Sequence, residues 1–191
     1  MDVDLSCRCG KVRARAVAAE PHNVNYVICY CRDCRAFARW LDRLDLCDAA
    51  GGSPIVQMAR GRVDFTSGLD EVACVRLSEK GLFRWYAACC KTPIGNTIPK
   101  VPFIGVVGAF FANDGGPGAL YGTPWLVQTD GATGTVPAHR WVGPMFLRLA
   151  RLIAGWALRG LKGDTLFDRA TSRPRVPPKL LTPSERAAIA D

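Results

Sequence analysis

The sequence predicts a mainly β domain followed by a helical C-terminal extension. Three observations carry that expectation. Short alternating polar and apolar runs, separated by turn residues, fill the chain up to about residue 110. One early segment breaks the pattern with helical spacing, and a long basic, amphipathic segment lies near the end. At 191 residues, with 49% hydrophobic and 22% charged residues and a mean hydropathy of +0.06, the chain has ordinary globular composition. Wholesale disorder is excluded, and one core plus an extension is the expected size.

In order along the chain, Lys11–Ala18 (KVRARAVA) alternates basic and apolar side chains and reads as a half-buried strand. Val24–Cys29, Pro54–Met58, Arg62–Phe65, Val72–Leu77 and Phe83–Tyr86 are further strand candidates. Ala49–Ser53 and Thr66–Asp70, rich in glycine, serine or aspartate, separate them as turns. Arg35–Leu46 places Phe37, Trp40, Leu41 and Leu44 at helical spacing, so a short helix is expected there. Val101–Ala112 is the longest apolar run. It falls short of the roughly 18–20 residues of a membrane span and reads as a buried strand.

Asn113–Gly118 (NDGGPG) is the strongest loop signal and the expected boundary between a β domain at 1–112 and an extension at 113–191. The net charge of +8 is uneven across the chain. Up to residue 125 there are 15 Lys+Arg against 12 Asp+Glu, and beyond it 10 against 5. Much of that excess sits in Pro144–Lys162, an expected amphipathic helix with Arg148, Arg151, Gly155, Arg159 and Lys162 on one narrow face. Half-burial against the β domain is one expectation for it; docking on a peripheral membrane surface or a protein partner is the other. Arg173–Lys179 reads as an extended proline-rich stretch. Thr182, Pro183 and Glu185 then match an N-cap, N1 and N3 opening a last short helix.

Nine cysteines cannot all pair as disulfides. The acidic N-terminus (MDVDLSCRCG) offers no signal-peptide core, so a cytoplasmic setting is expected, where clustered thiols bind metal or do chemistry more often than they form bridges. Cys29, Cys31 and Cys34 form C-x-C-x-x-C at a helix start, where backbone amides favour thiolates. Three thiolates would leave a tetrahedral zinc with one open position, the arrangement of catalytic sites. Cys7 and Cys9, with Cys90 and Cys89, are candidates for a second, closed structural site. A redox role for Cys31–Cys34 or Cys89–Cys90 is a competing reading. Cys47 and Cys74 lack partners at ligand spacing and read as buried small hydrophobes, while His22 and His139 complete no visible cluster.

Taken together, Cys7–Val12 (CRCGKV), Cys29–Phe37 (CYCRDCRAF) and Arg84–Ile94 (RWYAACCKTPI) resemble the glutathione-dependent formaldehyde-activating enzyme family, which includes the centromere protein V-like proteins. The resemblance covers about residues 5–95 and rests on three motifs in the right order. It implies a zinc-stabilised β-tent-like fold, a structural zinc on the outer cysteines and a more open, catalytic zinc on Cys29, Cys31 and Cys34. It also implies a carbon–sulfur lyase acting on glutathione or another thiol adduct. This sequence departs from the family at Ala87, where the first cysteine of a C-x-x-C-G motif stands, at Lys91, where the glycine stands, and at Tyr30, often histidine.

For such chemistry a net −1 charge on zinc with three thiolates suits a soft sulfur ligand better than activated water. Arg32, Arg35 or Arg39 are the expected holders of the thiol's carboxylates, and Asp33 a candidate proton carrier. One or two zinc ions are expected. The rival class is a non-catalytic zinc module that docks on a protein or membrane through its basic helix. Nucleic acid is disfavoured, because no aromatic–basic interleaving marks a binding face.

Overall fold

In the computed structural model, which describes residues 1–98, 101–138, 141–159, 164–168 and 170–190, the chain is mainly β and forms two sheets. The smaller has three antiparallel strands in the order β1 (Val3–Ser6), β2 (Arg13–Ala16) and β5 (Val63–Ser67). Alternation places Ala14 and Ala16 of β2 inward and Arg13 and Arg15 outward, as the period-2 pattern requires. The larger sheet has eight strands. Its centre runs antiparallel through β3 (Asn25–Cys29), β4 (Ser53–Ala59), β9 (Phe103–Val107), β8 (Thr92–Thr97), β7 (Phe83–Ala87) and β6 (Val72–Arg76).

Two short parallel strands close its flanks. β10 (Trp125–Val127) pairs with β3, and β11 (Lys179–Leu180) pairs with β6. The residues after 112 thus supply both edges of the large sheet. Between the sheets lies the main core, with Leu5, Val12, Val56, Met58, Trp85, Ile94, Ile104 and Phe110 all but sealed from solvent. The Trp85 indole N–H donates to Thr97 Oγ1 at 2.9 Å, which satisfies its one buried donor. Asp164 pairs with buried Arg60 at 2.6 Å, and Arg60 stacks 4.1 Å above Phe167, so the late segment is fastened to the core.

All six short strand candidates are strands, with bounds shifted by one or two residues at most ends. The Val101–Ala112 run is divided: β9 takes its middle, and Gly108–Phe110 turns as a 3-10 helix. The early helix starts and stops sooner than its apolar spacing suggests. Helix α1 spans Arg32–Trp40, because the Cys31 side chain caps it by accepting the Cys34 N–H. Beyond Leu41, Asp42 adopts a left-handed φ of +58° and ends the helical run, and only a 3-10 turn at Leu44–Leu46 follows.

Inside the expected NDGGPG loop, α2 (Gly116–Tyr121) begins at a glycine-proline start. Helix α3 spans Gly143–Arg159, and the rest of its expected length, with Lys162, lies outside the described residues, as does His139. Met145 and Trp156 are buried while Phe146, Leu147 and Leu158 are exposed. Arg148, on the expected basic face, turns toward the β domain. It is half-buried and donates to the carbonyls of Pro21 and Val24, the latter at 2.9 Å. Helix α4 (Pro183–Ala188) has the full capping box, with Thr182 Oγ1 accepting the Glu185 N–H and the Glu185 carboxylate accepting the Thr182 N–H.

Candidate metal centres

Seven of the nine cysteines fall into two sets, each with its sulfur atoms within 4.8 Å of one another: Cys7, Cys9, Cys89 and Cys90, and Cys29, Cys31 and Cys34. The first set joins two turns. Cys7 and Cys9 lie in the β1–β2 connection, and Cys89 and Cys90 in the β7–β8 connection, 80 residues away in sequence. Gly10 turns the first with φ +76°. The Val12 N–H then donates to Cys7 Sγ at 3.3 Å.

Thr92 ties the turns together. Its hydroxyl oxygen accepts the Arg8 N–H at 3.0 Å and lies 3.1 Å from Cys90 Sγ. The sulfur separations are 3.6 Å for Cys7–Cys9, 3.9 Å for Cys7–Cys89, 3.3 Å for Cys9–Cys89 and 3.8 Å for Cys89–Cys90. A tetrahedron with metal–sulfur bonds of about 2.3 Å has edges of about 3.8 Å. The four sulfurs therefore lie close to the separations of a tetrathiolate metal site, with Cys89 among them, while Ala87 is sealed in the core.

The central set is built on one strand end and one helix start. Cys29 ends β3, Cys31 caps α1, and Cys34 lies in its first turn. Tyr30, between the first two, points the other way. Its hydroxyl donates to Asp48 at 2.9 Å and its N–H donates to Val127 O at 3.0 Å. The parallel register sets Val127 beside Cys29 and Trp125 beside Val27. Trp125, Val127, Val142 and Met145 consequently pack around the three cysteines together with Val27 and Ile55. A cavity of about 590 Å³, lined by Ile28, Tyr30, Asp48, Ala50 and Leu126 among others, opens on the side of β3 away from Cys29 and is separate from the thiols.

Each set holds one thiol that ionises easily. Hydrogen bonds from the Cys29 and Cys34 thiols draw Cys31 well below the ordinary thiol range, helped by the Cys34 N–H and the charge of Arg84. The bond to Cys31 pushes Cys29 up, bonds to Cys29 and Cys31 push Cys34 up, and burial adds to both rises. In the outer set burial pushes Cys90 up, but the Thr92 hydroxyl and the backbone of Cys9 and Thr92 outweigh it and bring it to about 6. Burial raises Cys7 and Cys89. Cys31 and Cys90 are thus the thiols of their sets that yield a proton to a cation most readily.

The arginines expected near the central set diverge. Arg32 is exposed beside Cys31. Arg35 is buried and donates to the Gly131 carbonyl at 2.8 Å, pinning the loop after β10. Arg39 reaches the carbonyls of Ile189 and Ala190 at 2.9 and 3.0 Å, joining α1 to the C-terminal residues. Asp33 pairs instead with Arg84, at 3.6 Å. Cys74 is buried, as expected for a small hydrophobe, and Cys47 is half-buried 3.6 Å from Ser53 Oγ.

Arg84 and Asn96 were not expected at the site. They face each other across β7 and β8, and Arg84 reaches Cys34 Sγ at 3.9 Å. The one sequence signal for Arg84 is a charged residue set between Phe83 and Trp85 in an otherwise apolar strand.

Fold and site together define a cysteine-rich, mainly β protein with two thiol sets able to hold a metal ion. Residues 1–122 match a family of unknown function, DUF6151, and the chain belongs to that family. Its matched region carries both cysteine sets and all the central strands. A search of curated proteins finds no match to the chain.

Proposed function

We propose that this chain binds two zinc ions, one structural and one open, and that the open centre processes a thiol adduct in the manner of a carbon–sulfur lyase. The observation that carries this reading is the unequal sulfur count: four thiols converge in the outer set and three in the central one. Thiolate donors suit zinc, and three of them leave a coordination position for a soft sulfur ligand such as glutathione. Zinc held there would stabilise a sulfur anion as a carbon–sulfur bond breaks. The residues of this chain do the rest. Arg32, exposed next to Cys31, is placed to hold a carboxylate of the incoming thiol. Trp125, Val127 and Met145 supply an apolar wall that limits water around the sulfurs.

Metal analysis of the purified full chain, with two substitutions, tests the division. Cys31→Ser should remove one zinc equivalent and leave the fold intact. Cys90→Ser should cost about 3 kcal/mol or more, since structural metal binding is folding energy, which is a fall of roughly 6–12 °C in melting temperature. Unfolding by both would end the distinction. Calorimetric titration with glutathione and the decomposition rate of its S-hydroxymethyl adduct then test the activity. A fully zinc-loaded protein that neither binds the thiol nor changes that rate is not a lyase of this kind.

A second reading rests on α3, which presents exposed Phe146, Leu147 and Leu158, with Trp141, 80% exposed, just before its start. Such a face, with Arg151 exposed beside it, suits the interface of an anionic membrane. Flotation with vesicles rich in phosphatidylserine should be lost in Phe146→Glu/Leu158→Glu. Equal flotation of both proteins removes the membrane role.

A further inference from the structure

We propose that Arg84 is the built-in countercharge of the three-cysteine centre, and that it sets the open position to prefer an anionic thiolate over a neutral ligand. The proposal rests on the open-zinc reading above and adds the residue that favours the anionic form of the fourth ligand. Arg84 lies on β7 with 1% of its side chain exposed, and its guanidinium is 3.9 Å from Cys34 Sγ and 3.2 Å from Asn96 Oδ1. Its Cζ is 5.5 Å from the Phe37 ring centroid.

Burying a guanidinium is costly unless a negative charge answers it. The carboxylate paired with it, Asp33, is 3.6 Å away and 45% exposed, so water screens part of its field. The Arg84 Nε has no hydrogen-bond partner among the described residues. Much of its charge therefore remains to be met by the sulfurs beside it.

The charge count follows. A divalent ion with three thiolates carries −1, and with Arg84 the centre is neutral. With a thiolate in the fourth position the centre carries −1, and −2 without Arg84, whereas with imidazole it stays neutral, so the attraction of Arg84 for the added charge favours the thiolate. Opposite charges 4–6 Å apart commonly shift ionic equilibria by about 10- to 1000-fold. The preference for thiolate over imidazole should therefore depend on Arg84 by about 10-fold or more.

The test uses the full chain loaded with cobalt(II), whose visible spectrum reports its coordination. Titrations with 2-mercaptoethanol, which has no carboxylate, and with imidazole give the ratio of the two affinities. In Arg84→Gln the ratio should fall at least 10-fold towards imidazole, and Arg84→Lys should restore part of it. Asp33→Asn, a change of charge alone at a half-exposed position, should move the ratio a few-fold the other way by freeing the charge of Arg84. This second variant decides the matter if Arg84→Gln does not fold. An unchanged ratio in Asp33→Asn, or a parallel loss of both ligands in Arg84→Gln, overturns the proposal and leaves the open centre standing. Failure of cobalt to occupy the central cysteines in the unsubstituted protein overturns the open centre itself, and the countercharge with it.

Discussion

Lys91 holds a left-handed φ of +55° at the end of the Cys89–Cys90 turn. A side chain there crowds the backbone by about 1–2 kcal/mol, partly offset because glycine would loosen the unfolded chain. Lys91→Gly should therefore stabilise the protein by about 0.5–1 kcal/mol, read as a rise of roughly 1–4 °C in melting temperature at full metal loading. The resemblance had placed glycine there, so this single position shows how a motif encodes backbone geometry as well as ligands. The ligand candidates were legible because a metal set built on turns leaves short, local spacings in the sequence. Arg84 was far less so. A buried cation in a strand looks like any other alternation until the partner strand shows which sulfur it faces.

Elements were legible wherever one periodicity dominated. The six short strands and the capping box of α4 were found this way. β8 was missed because all six of its residues are buried and Pro93 and Gly95 interrupt it, so it has neither alternation nor β-branched continuity. β10 and β11 were missed because strands of three and two residues are defined by their neighbours. Helix α4 also shows an element acting at a distance. Leu181 and Ile189, on either side of it, pack on Phe37 and Leu41, so α4 steadies the helix whose start holds Cys31 and Cys34.

Thr182→Ala should weaken this support by about 1 kcal/mol and speed amide exchange in α4 first. Lys179 and the Thr182 N–H hold the Glu185 carboxyl down to about 2. A depressed carboxyl stabilises the fold fully above its ordinary value of 4.5 and loses that contribution as pH falls through about 2. Protection of α4 should accordingly fall in acid in both proteins, because the Thr182 N–H remains in the variant; protection that holds through pH of about 2 would deny the Glu185 carboxylate its part in the cap.

Across the whole molecule, the earlier and later parts of the chain play different roles within one shared sheet. Residues up to 107 build the sheet's interior, and later ones supply its flanks, the Asp164 partner of Arg60 and part of the wall around the central thiols. The family match ends at residue 122, just before β10. The two flanking strands, only three and two residues long, add little pairing energy of their own. Their effect is on solubility. Each occupies a row of backbone donors and acceptors that would otherwise invite another chain to dock alongside, so together they act as bumpers against runaway stacking. A chain ending at residue 178, which keeps the Asp164–Arg60 pair and Phe167, should keep its outer thiol set yet self-associate through the bared side of β6, with light scattering rising steeply with concentration. A monodisperse monomer would show that the sheet protects itself by other means.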